Sequence, residues 1–363
     1  MSLPYLQPYL GLSNGLNTLH AAGGGGGAVG GWKELGRTTL GSANDNITVS
    51  GLADKRYLMT LFYSSGGTGG DSEISWQLNS DTGSNYSLRY SSNGGGDGYF
   101  TSKSYMHGDP YDTNDSNPRF SVSYLSNYAS KEKLHLSHSM RSNTAGAANA
   151  PARGESVSKW SNTSNAVSSI TANNRNSGTW STNDEVVVLG WDPADDDTNG
   201  FWQELADASW TSGSSFNTGT FAAKKYLWIQ YYTTCASSHF NKFQFNGDTA
   251  GNYASRVSYD GPGGGTVTND TFGWSTTTTD RSGSTFPLAV ANIFMINNAS
   301  NEKLGISHGV WFTNTETGAA NAPHRTESVG KWTNTSNQIT RIDITNAVGN
   351  NYTGGQIKVW GAD

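Results

Sequence analysis

The chain has 363 residues, a formal net charge of −6 and only 14% charged residues, well below the roughly 25% of a typical soluble domain. With 23 Lys and Arg residues, it lacks the basic surface that nucleic-acid binding requires, and no run approaches the ~18 apolar residues of a membrane span. Its single cysteine, Cys235, excludes an intrachain disulfide and a CxxC metal site.

The first 20 residues form an apolar arm in which Pro4 and Pro8 exclude a regular helix at the start. A glycine-rich tether, residues 21–31, follows and reaches at most about 35–40 Å when extended. An apolar segment on a tether makes no core alone, so we expect it to dock. It either folds back on its own first domain or inserts into a neighbouring subunit, as in strand addition; the sequence leaves both open. The candidate interface residues are Leu3, Tyr5, Leu6, Tyr9, Leu10 and Leu12.

From Trp32 onward, apolar and polar residues alternate with the period of two that is typical of strands. The short β-rich segments are bounded by Gly, Asn, Asp or Pro clusters, and no window has helical spacing. About eight to ten strands per domain at this spacing predict a β-sandwich of jelly-roll-like type. The predicted strands of the first half are 56–64, 73–79, 85–91, 119–126, 133–140, 155–160, 166–171 and 185–191.

An internal duplication sets the domain count. Residues 146–165 read GAANAPARGESVSKWSNTSN, and residues 318–337, 172 positions later, read GAANAPHRTESVGKWTNTSN, with 16 of 20 positions identical. Each copy has about 160 residues, the size of one domain, so the sequence predicts two tandem domains and not solenoid turns. The predicted division is the arm (1–20), the tether (21–31), repeat 1 (32–192), an acidic linker (193–200) and repeat 2 (201–363).

The duplicated block contains a strand with charges along one face and a tryptophan on the other. Such alternating charges can form a ladder of ion pairs. The alternative is general acid–base catalysis, but the spacing links no second repeated carboxylate to either glutamate. We therefore expect an architectural role and no enzymatic activity. The residues are Arg153, Glu155, Lys159 and Trp160 in repeat 1 and Arg325, Glu327, Lys331 and Trp332 in repeat 2.

Other chemistry has little support. Two acidic loops, residues 108–117 and 192–200, carry oxygen ligands that suit Ca²⁺, but Asp and Asn also favour solvated turns, and no cofactor is expected. His138 and His308 are the only histidines that correspond between the repeats, and no HExxH, GxSxG or P-loop motif occurs. The tryptophans without an aromatic counterpart are candidates for a ligand or interface: Trp76, Trp210, Trp228, Trp274 and Trp311.

In layout, the chain resembles structural proteins of tailed phages and their environmental relatives. The resemblance rests on the apolar arm, the glycine-rich tether and the tandem sandwiches with NYxxR (85–89 and 252–256) and RxESVxKWxNTSN (153–165 and 325–337) stretches. It implies a virion appendage or an extracellular fibre built from many copies. No signal peptide is predicted, because the N-terminus has no basic n-region. Either the numbering starts at a mature N-terminus, or the protein is made in the cytoplasm and leaves by another route; the second fits cytoplasmic assembly followed by lysis.

Two functional hypotheses follow. The first is a non-enzymatic structural subunit that self-assembles head-to-tail into a helical fibre, with the arm of one copy docking on the next. The alternative is a carbohydrate-binding, lectin-like receptor module or adhesin, in which the duplication gives avidity for surface glycans.

Overall fold

The structure, a computed structural model, describes residues 31–109, 116–193, 195, 199–236, 240–261, 264–271, 273–277, 286–312 and 317–363. Every regular element in these ranges is a β-strand. The strands build one sandwich per repeat, which confirms the predicted all-β fold of two tandem β-sandwich domains. The arm, with its six candidate interface residues, and all of the tether except Gly31 lie outside the described residues.

Repeat 1 contains an eight-stranded sheet, a four-stranded sheet and a two-stranded ribbon. The large sheet has the order β1-β14-β3-β9-β10-β11-β6-β7, the small sheet β2-β12-β5-β8, and the ribbon pairs β13 with β4. The strands are β1 (Lys33–Thr39), β2 (Asn46–Ser50), β3 (Tyr57–Ser64), β4 (Gly67–Thr68), β5 (Ile74–Leu78), β6 (Tyr86–Ser92), β7 (Gly98–Lys103), β8 (Met106–His107), β9 (Arg119–Ser126), β10 (Lys133–Arg141), β11 (Ala152–Trp160), β12 (Ser169–Asn174), β13 (Thr179–Trp180) and β14 (Glu185–Trp191).

Repeat 2 repeats both main sheets strand for strand. The large sheet has the order β15-β26-β17-β22-β23-β24-β19-β20 and the small sheet β16-β25-β18-β21, so β10 corresponds to β23 and β11 to β24. The strands are β15 (Gln203–Trp210), β16 (Ser215–Asn217), β17 (Tyr226–Cys235), β18 (Asn241–Phe245), β19 (Tyr253–Tyr259), β20 (Gly264–Asp270), β21 (Trp274–Thr277), β22 (Phe286–Ile296), β23 (Lys303–Phe312), β24 (His324–Trp332), β25 (Ile342–Asn346) and β26 (Tyr352–Ala362).

Each sandwich buries its own core between its large and small sheets. Trp160 fills the core of repeat 1 and Trp332 that of repeat 2. The indole Nε1 of each donates to an aspartate in the turn before the NYxxR strand, to Asp81 at 2.6 Å and to Asp248 at 2.7 Å. Although burial alone would raise it, the pKa of each aspartate lies below its ordinary value because of these and neighbouring hydrogen bonds. The duplicated Asp and Trp positions are thus one structural unit.

The central strands of the large sheets are buried on both faces. In β3, Leu58 and Phe62 point into the sandwich core, whereas Met59 and Leu61 lie on the opposite face and are also buried. A strand with apolar residues at consecutive positions is typical of a sheet that is covered on both sides. The second face of each large sheet packs on the other repeat, so the layers follow the order small sheet, large sheet, large sheet, small sheet.

Candidate functional site

The two large sheets face each other across an inter-repeat interface. Equivalent strands meet there: β10 contacts β23 and β11 contacts β24. The two repeats are therefore related by an approximate twofold axis. One buried apolar cluster joins them, with Met59, Leu61, Tyr63, Phe120, Val122, Met140, Val187 and Leu189 from repeat 1 and Trp202, Tyr226, Trp228, Phe294, Ile296, Leu304, Ile306, Val329, Trp360 and Ala362 from repeat 2.

A histidine pair marks the centre of this interface. The rings of His138 and His308, counterparts in the duplicated sequence, lie with their centroids 4.0 Å apart in an edge-to-face arrangement. Burial lowers the pKa of His308 to about 4 and the pKa of His138 well below its ordinary value. Both rings are therefore neutral at pH 7, which allows two equivalent side chains to lie in contact.

Arg153 lies between two carboxylates beside the histidine pair. Its Nε is 2.7 Å from Glu155 Oε1 and its Nη2 is 3.4 Å from Glu327 Oε2, and Nη1 donates to the backbone carbonyl of Glu327 at 2.9 Å. Burial raises the pKa of Glu155 to about 7; Arg153 opposes the shift and Glu327 adds to it, since two adjacent carboxylates resist joint ionisation. Sequence spacing missed this pair because its members come from different repeats.

On one side of the histidine pair, which we call the closed half, the loop after β10 docks on repeat 2. The backbone N–H of Gly146, the first residue of the duplicated GAANAP segment, donates to Glu302 Oε1 at 2.6 Å. Lys331 Nζ donates to the carbonyl oxygens of Ser142 at 3.0 Å and Thr144 at 2.8 Å. Lys331 and Glu302 also form an ion pair at 3.4 Å with side chains 0% and 8% exposed. The ion pair is buried because the loop covers it.

The equivalent ion pair in repeat 1 lies in solvent. Lys159 Nζ and Glu132 Oε2 are 3.0 Å apart, but their side chains are 47% and 41% exposed. Lys159 continues the face of β11 that holds Arg153 and Glu155, whereas Arg325 corresponds to Arg153 and is itself exposed. The row of charged residues is therefore buried at its arginine end in repeat 1 and at its lysine end in repeat 2.

On the other side of the histidine pair, which we call the open half, the two sheets diverge around a groove of about 1840 Å³. Met59, Trp228 and Trp360 of the buried inter-repeat cluster line part of this groove. Other apolar side chains on its walls are solvent-exposed, although their counterparts are buried in the closed half. In repeat 1 these are Leu134 (60% exposed), Leu136 (41%) and Val157 (48%), against Leu304 (0%), Ile306 (4%) and Val329 (0%) in repeat 2. In repeat 2 they include Tyr232 (41%) and Val290 (39%), against Tyr63 (1%) and Phe120 (1%) in repeat 1.

The charges on the groove walls are already neutralised. Three cations line the groove, and each has a carboxylate partner: Arg89 with Asp97 at 3.7 Å, Lys159 with Glu132 at 3.0 Å, and Lys358 with Asp207 at 2.8 Å. No Asp or Glu lines the groove within the described ranges. The groove is thus an apolar surface without unbalanced charge.

Four of the five tryptophans that were candidates for a ligand or interface are buried, and one of them, Trp76 of β5, has an aromatic counterpart in Phe243 of β18. Trp76, Trp210, Trp274 and Trp311 are at most 9% exposed. The first three lie in the sandwich cores, and Trp311 stacks on the His324 ring with centroids 3.9 Å apart; the expectation that they are available to a ligand is wrong. Trp228 alone lies at the inter-repeat interface and also lines the groove. Among the residues that the structure describes, the large aromatic side chains that are exposed are instead Tyr99, Phe100, Tyr128, Tyr232 and Tyr259, which no sequence signal separated from core positions.

The described residues contain no group of three or more His, Cys, Asp or Glu side chains that could hold a metal ion. Both acidic loops considered for Ca²⁺ fall partly outside them, at 110–115 and at 194 and 196–198. In the part of the chain that the structure covers, no helix is long and apolar enough to span a membrane.

No protein-family model matches the chain, and no curated protein matches it. Among solved structures, it is similar to domains LG4-5 of the mouse laminin alpha1 chain, with 10% identity, coverage of 98% of this chain and 93% of that chain, and a TM-score of 0.20. Ail, the attachment invasion locus protein of Yersinia pestis, in complex with the heparin analogue sucrose octasulfate, has 9% identity, 77% and 98% coverage and a TM-score of 0.14. The LG1-3 region of the laminin alpha2 chain has 7% identity, 89% and 64% coverage and a TM-score of 0.20. Scores this low carry no conclusion about function.

Proposed function

We propose that the protein is a non-enzymatic structural subunit that self-assembles head-to-tail into an extracellular fibre or a virion appendage, the N-terminal arm of one copy docking on its neighbour. The observation that carries this proposal is the open half of the inter-repeat interface. Contiguous exposed apolar surface on a soluble protein marks a contact site, and here the same residues are buried where a partner repeat covers them.

The charged cluster at the twofold axis supports an architectural role over catalysis. Glu155, with a raised pKa, and its neighbour Glu327 are the kind of pair that general acid–base chemistry uses. Neither glutamate lines the groove or the smaller polar cavity between Asn143 and Arg256. Arg153 bridges the two glutamates across the interface, so the cluster holds the two repeats together.

Carbohydrate binding is the second candidate function, and the exposed edge of repeat 1 favours it. Tyr99 is 66% exposed, Arg89 lies over its ring at 5.6 Å, and Lys103 lies over the Phe100 ring at 4.7 Å. Exposed rings flanked by hydrogen-bond donors offer stacking platforms for sugars. A glycan array with the full chain tests this candidate, with Tyr99→Ala as the matched variant.

Assembly is tested by sedimentation velocity and negative-stain microscopy of the full chain over a concentration series. The wild type is expected to form filaments, and Leu6→Asp/Leu10→Asp, with two charges in the arm, is expected to remain monomeric. Gly24→Asp/Gly26→Asp is the control, because it adds the same charge to the tether, to which the proposal assigns no contact. A wild type that stays monomeric at all concentrations contradicts the proposed function.

A further inference from the structure

We propose that the groove of the open half is the acceptor site for the N-terminal arm, and that residues 3–19 of a second copy occupy it. This inference rests on the proposed function and assigns the partner of its site. Three features support it. The open half of the inter-repeat interface lacks a covering partner, the groove has the size and charge that suit the arm, and the first described strand begins beside the groove.

The groove walls are two surfaces whose counterparts bind each other in the closed half. There, Tyr63, Phe120 and Met140 of repeat 1 pack in one cluster with Leu304, Ile306 and Val329 of repeat 2. In the open half, the counterparts of both groups are exposed. An approximate twofold axis would make both halves alike, so the open half needs an apolar occupant between its walls to remove the same kind of surface from water.

The groove suits a peptide better than a small ligand. Its volume of about 1840 Å³ exceeds the ~300–1,000 Å³ of sites for drug-sized molecules. The arm carries no Asp, Glu, Lys or Arg, and the cations on the walls already have carboxylate partners. An anionic amphiphile would find no free cation among them, whereas an uncharged apolar segment fits.

The backbone of a buried peptide needs hydrogen-bond partners, and the groove offers them. The side-chain amides of Gln230, Asn292 and Gln356 lie on the repeat 2 wall. Asn292 Oδ1 already accepts from Trp228 and Gln230, and Gln356 Nε2 donates to Asp207, so the groups that can bind an extended segment are Gln230 Oε1, Asn292 Nδ2 and Gln356 Oε1. In the arm, Pro4 and Pro8 each remove one backbone N–H that would otherwise require an acceptor.

The tether indicates that the arm of a second copy fills the groove. Trp32, directly after the tether, lines the groove itself, so an arm that folded back on its own chain would need only a turn of about 2–5 residues. The chain instead places residues 21–31 between arm and fold, enough to span about 35–40 Å. That reach suits a bridge between two molecules.

A complementation experiment with two full-length variants tests the inference. One variant, Leu6→Asp/Leu10→Asp, has a defective arm and an intact groove. The other, Leu134→Asp/Leu136→Asp, has an intact arm and a defective groove; both substituted leucines are exposed, so the fold is expected to survive. By sedimentation velocity each variant alone is expected to be monomeric, with at least a 100-fold loss of association. An equimolar mixture is expected to form one-to-one dimers, because one arm and one groove remain.

The other outcomes overturn the inference in distinguishable ways. If the arm variant is monomeric but the groove variant still forms filaments, the arm docks on a different surface, and the proposed function stands without this site. If both variants still form filaments, arm docking itself is wrong, and the proposed function falls with the inference. If the wild type assembles but the mixture stays monomeric, the arm does not act between copies through this groove. A monomeric wild type removes the proposed function together with the inference. Val348→Asp, at an exposed turn position between β25 and β26 and outside the groove, is the matched control and should assemble as the wild type does.

Discussion

The closed and open halves of the inter-repeat interface present the same duplicated residues in two environments. In the closed half, Lys331 and Glu302 are buried beneath the loop of the other repeat; in the open half, Lys159 and Glu132 make the same ion pair in solvent. Equivalent residues of the duplicated sequence therefore have different surroundings in the two repeats. One chain thus contains both the partnered and the unpartnered form of one surface, and the differences between them are measurable.

The largest expected difference concerns the two lysines. Lys331→Ala leaves Glu302 buried without its cation and removes two hydrogen bonds to the loop, so it should destabilise the protein by about 3–5 kcal/mol. Lys159→Ala breaks a solvent-exposed pair and should cost about 0–1 kcal/mol. Urea unfolding followed by tryptophan fluorescence measures both. Equal losses would show that the two pairs have the same surroundings in solution.

The apolar counterparts should differ nearly as much. Leu304→Ala removes a fully buried side chain from the inter-repeat cluster and should cost about 2–5 kcal/mol. Leu134→Ala, at 60% exposure, should change the free energy of unfolding of the monomer by no more than about 0.5 kcal/mol. The measurement is made at low concentration, where the subunit is dissociated. A large loss for Leu134→Ala there means that the groove is already filled within the monomer.

The glutamate between the two halves should show a pH-dependent effect. The folded pKa of Glu155 is raised to about 7, so the stability that its protonated form contributes is complete below about pH 4.5 and is lost as the pH rises through 7. Glu155→Gln, which stays neutral, should therefore be more stable than the wild type by about 1–2 kcal/mol at pH 8, with no gain at pH 4.5. Chemical unfolding at both pH values checks this.

The matched control is Glu132→Gln, in the exposed pair, for which no such crossover is expected. A loss of stability for Glu155→Gln that is the same at both pH values would mean that the ion pair with Arg153 outweighs the cost of burial.

The histidine pair has the opposite pH dependence. Because burial lowers the pKa values of His138 and His308, the stability of the folded protein is lost as the pH falls from 6.5 towards 4. Protonation of the rings should thus separate the repeats in acid.

The smallest difference is expected where the two repeats share one environment. Asp81→Asn and Asp248→Asn each weaken the bond to a core tryptophan, which is similar in length in both copies. Each substitution should cost about 1 kcal/mol, and the two should agree within about 0.5 kcal/mol. Calorimetry of both variants checks this, and a clear inequality would place one turn in a different environment.

Much of the fold could be predicted from the sequence, because strand alternation and turn residues are local signals. The apolar residues at consecutive positions of β3 also indicate that the large sheet is covered on both of its faces. The inter-repeat pairs could not be predicted: His138 meets His308, and Glu155 meets Glu327, through a packing of two domains that no spacing along the chain encodes. The groove was missed for the same reason: Leu134 and Leu304 each end the same Glu-Lys-Leu triplet, and their exposure differs because of what lies opposite each of them in the fold.

The most direct test of the central claim is hydroxyl-radical footprinting of the leucine side chains over a concentration series. Leu304 and Ile306 should be protected at every concentration, whereas Leu134 and Leu136 should react in the monomer and become protected as the protein assembles. If Leu134 and Leu136 remain reactive in assembled material, or are protected already in the monomer, the open half is not the surface that joins one copy to the next.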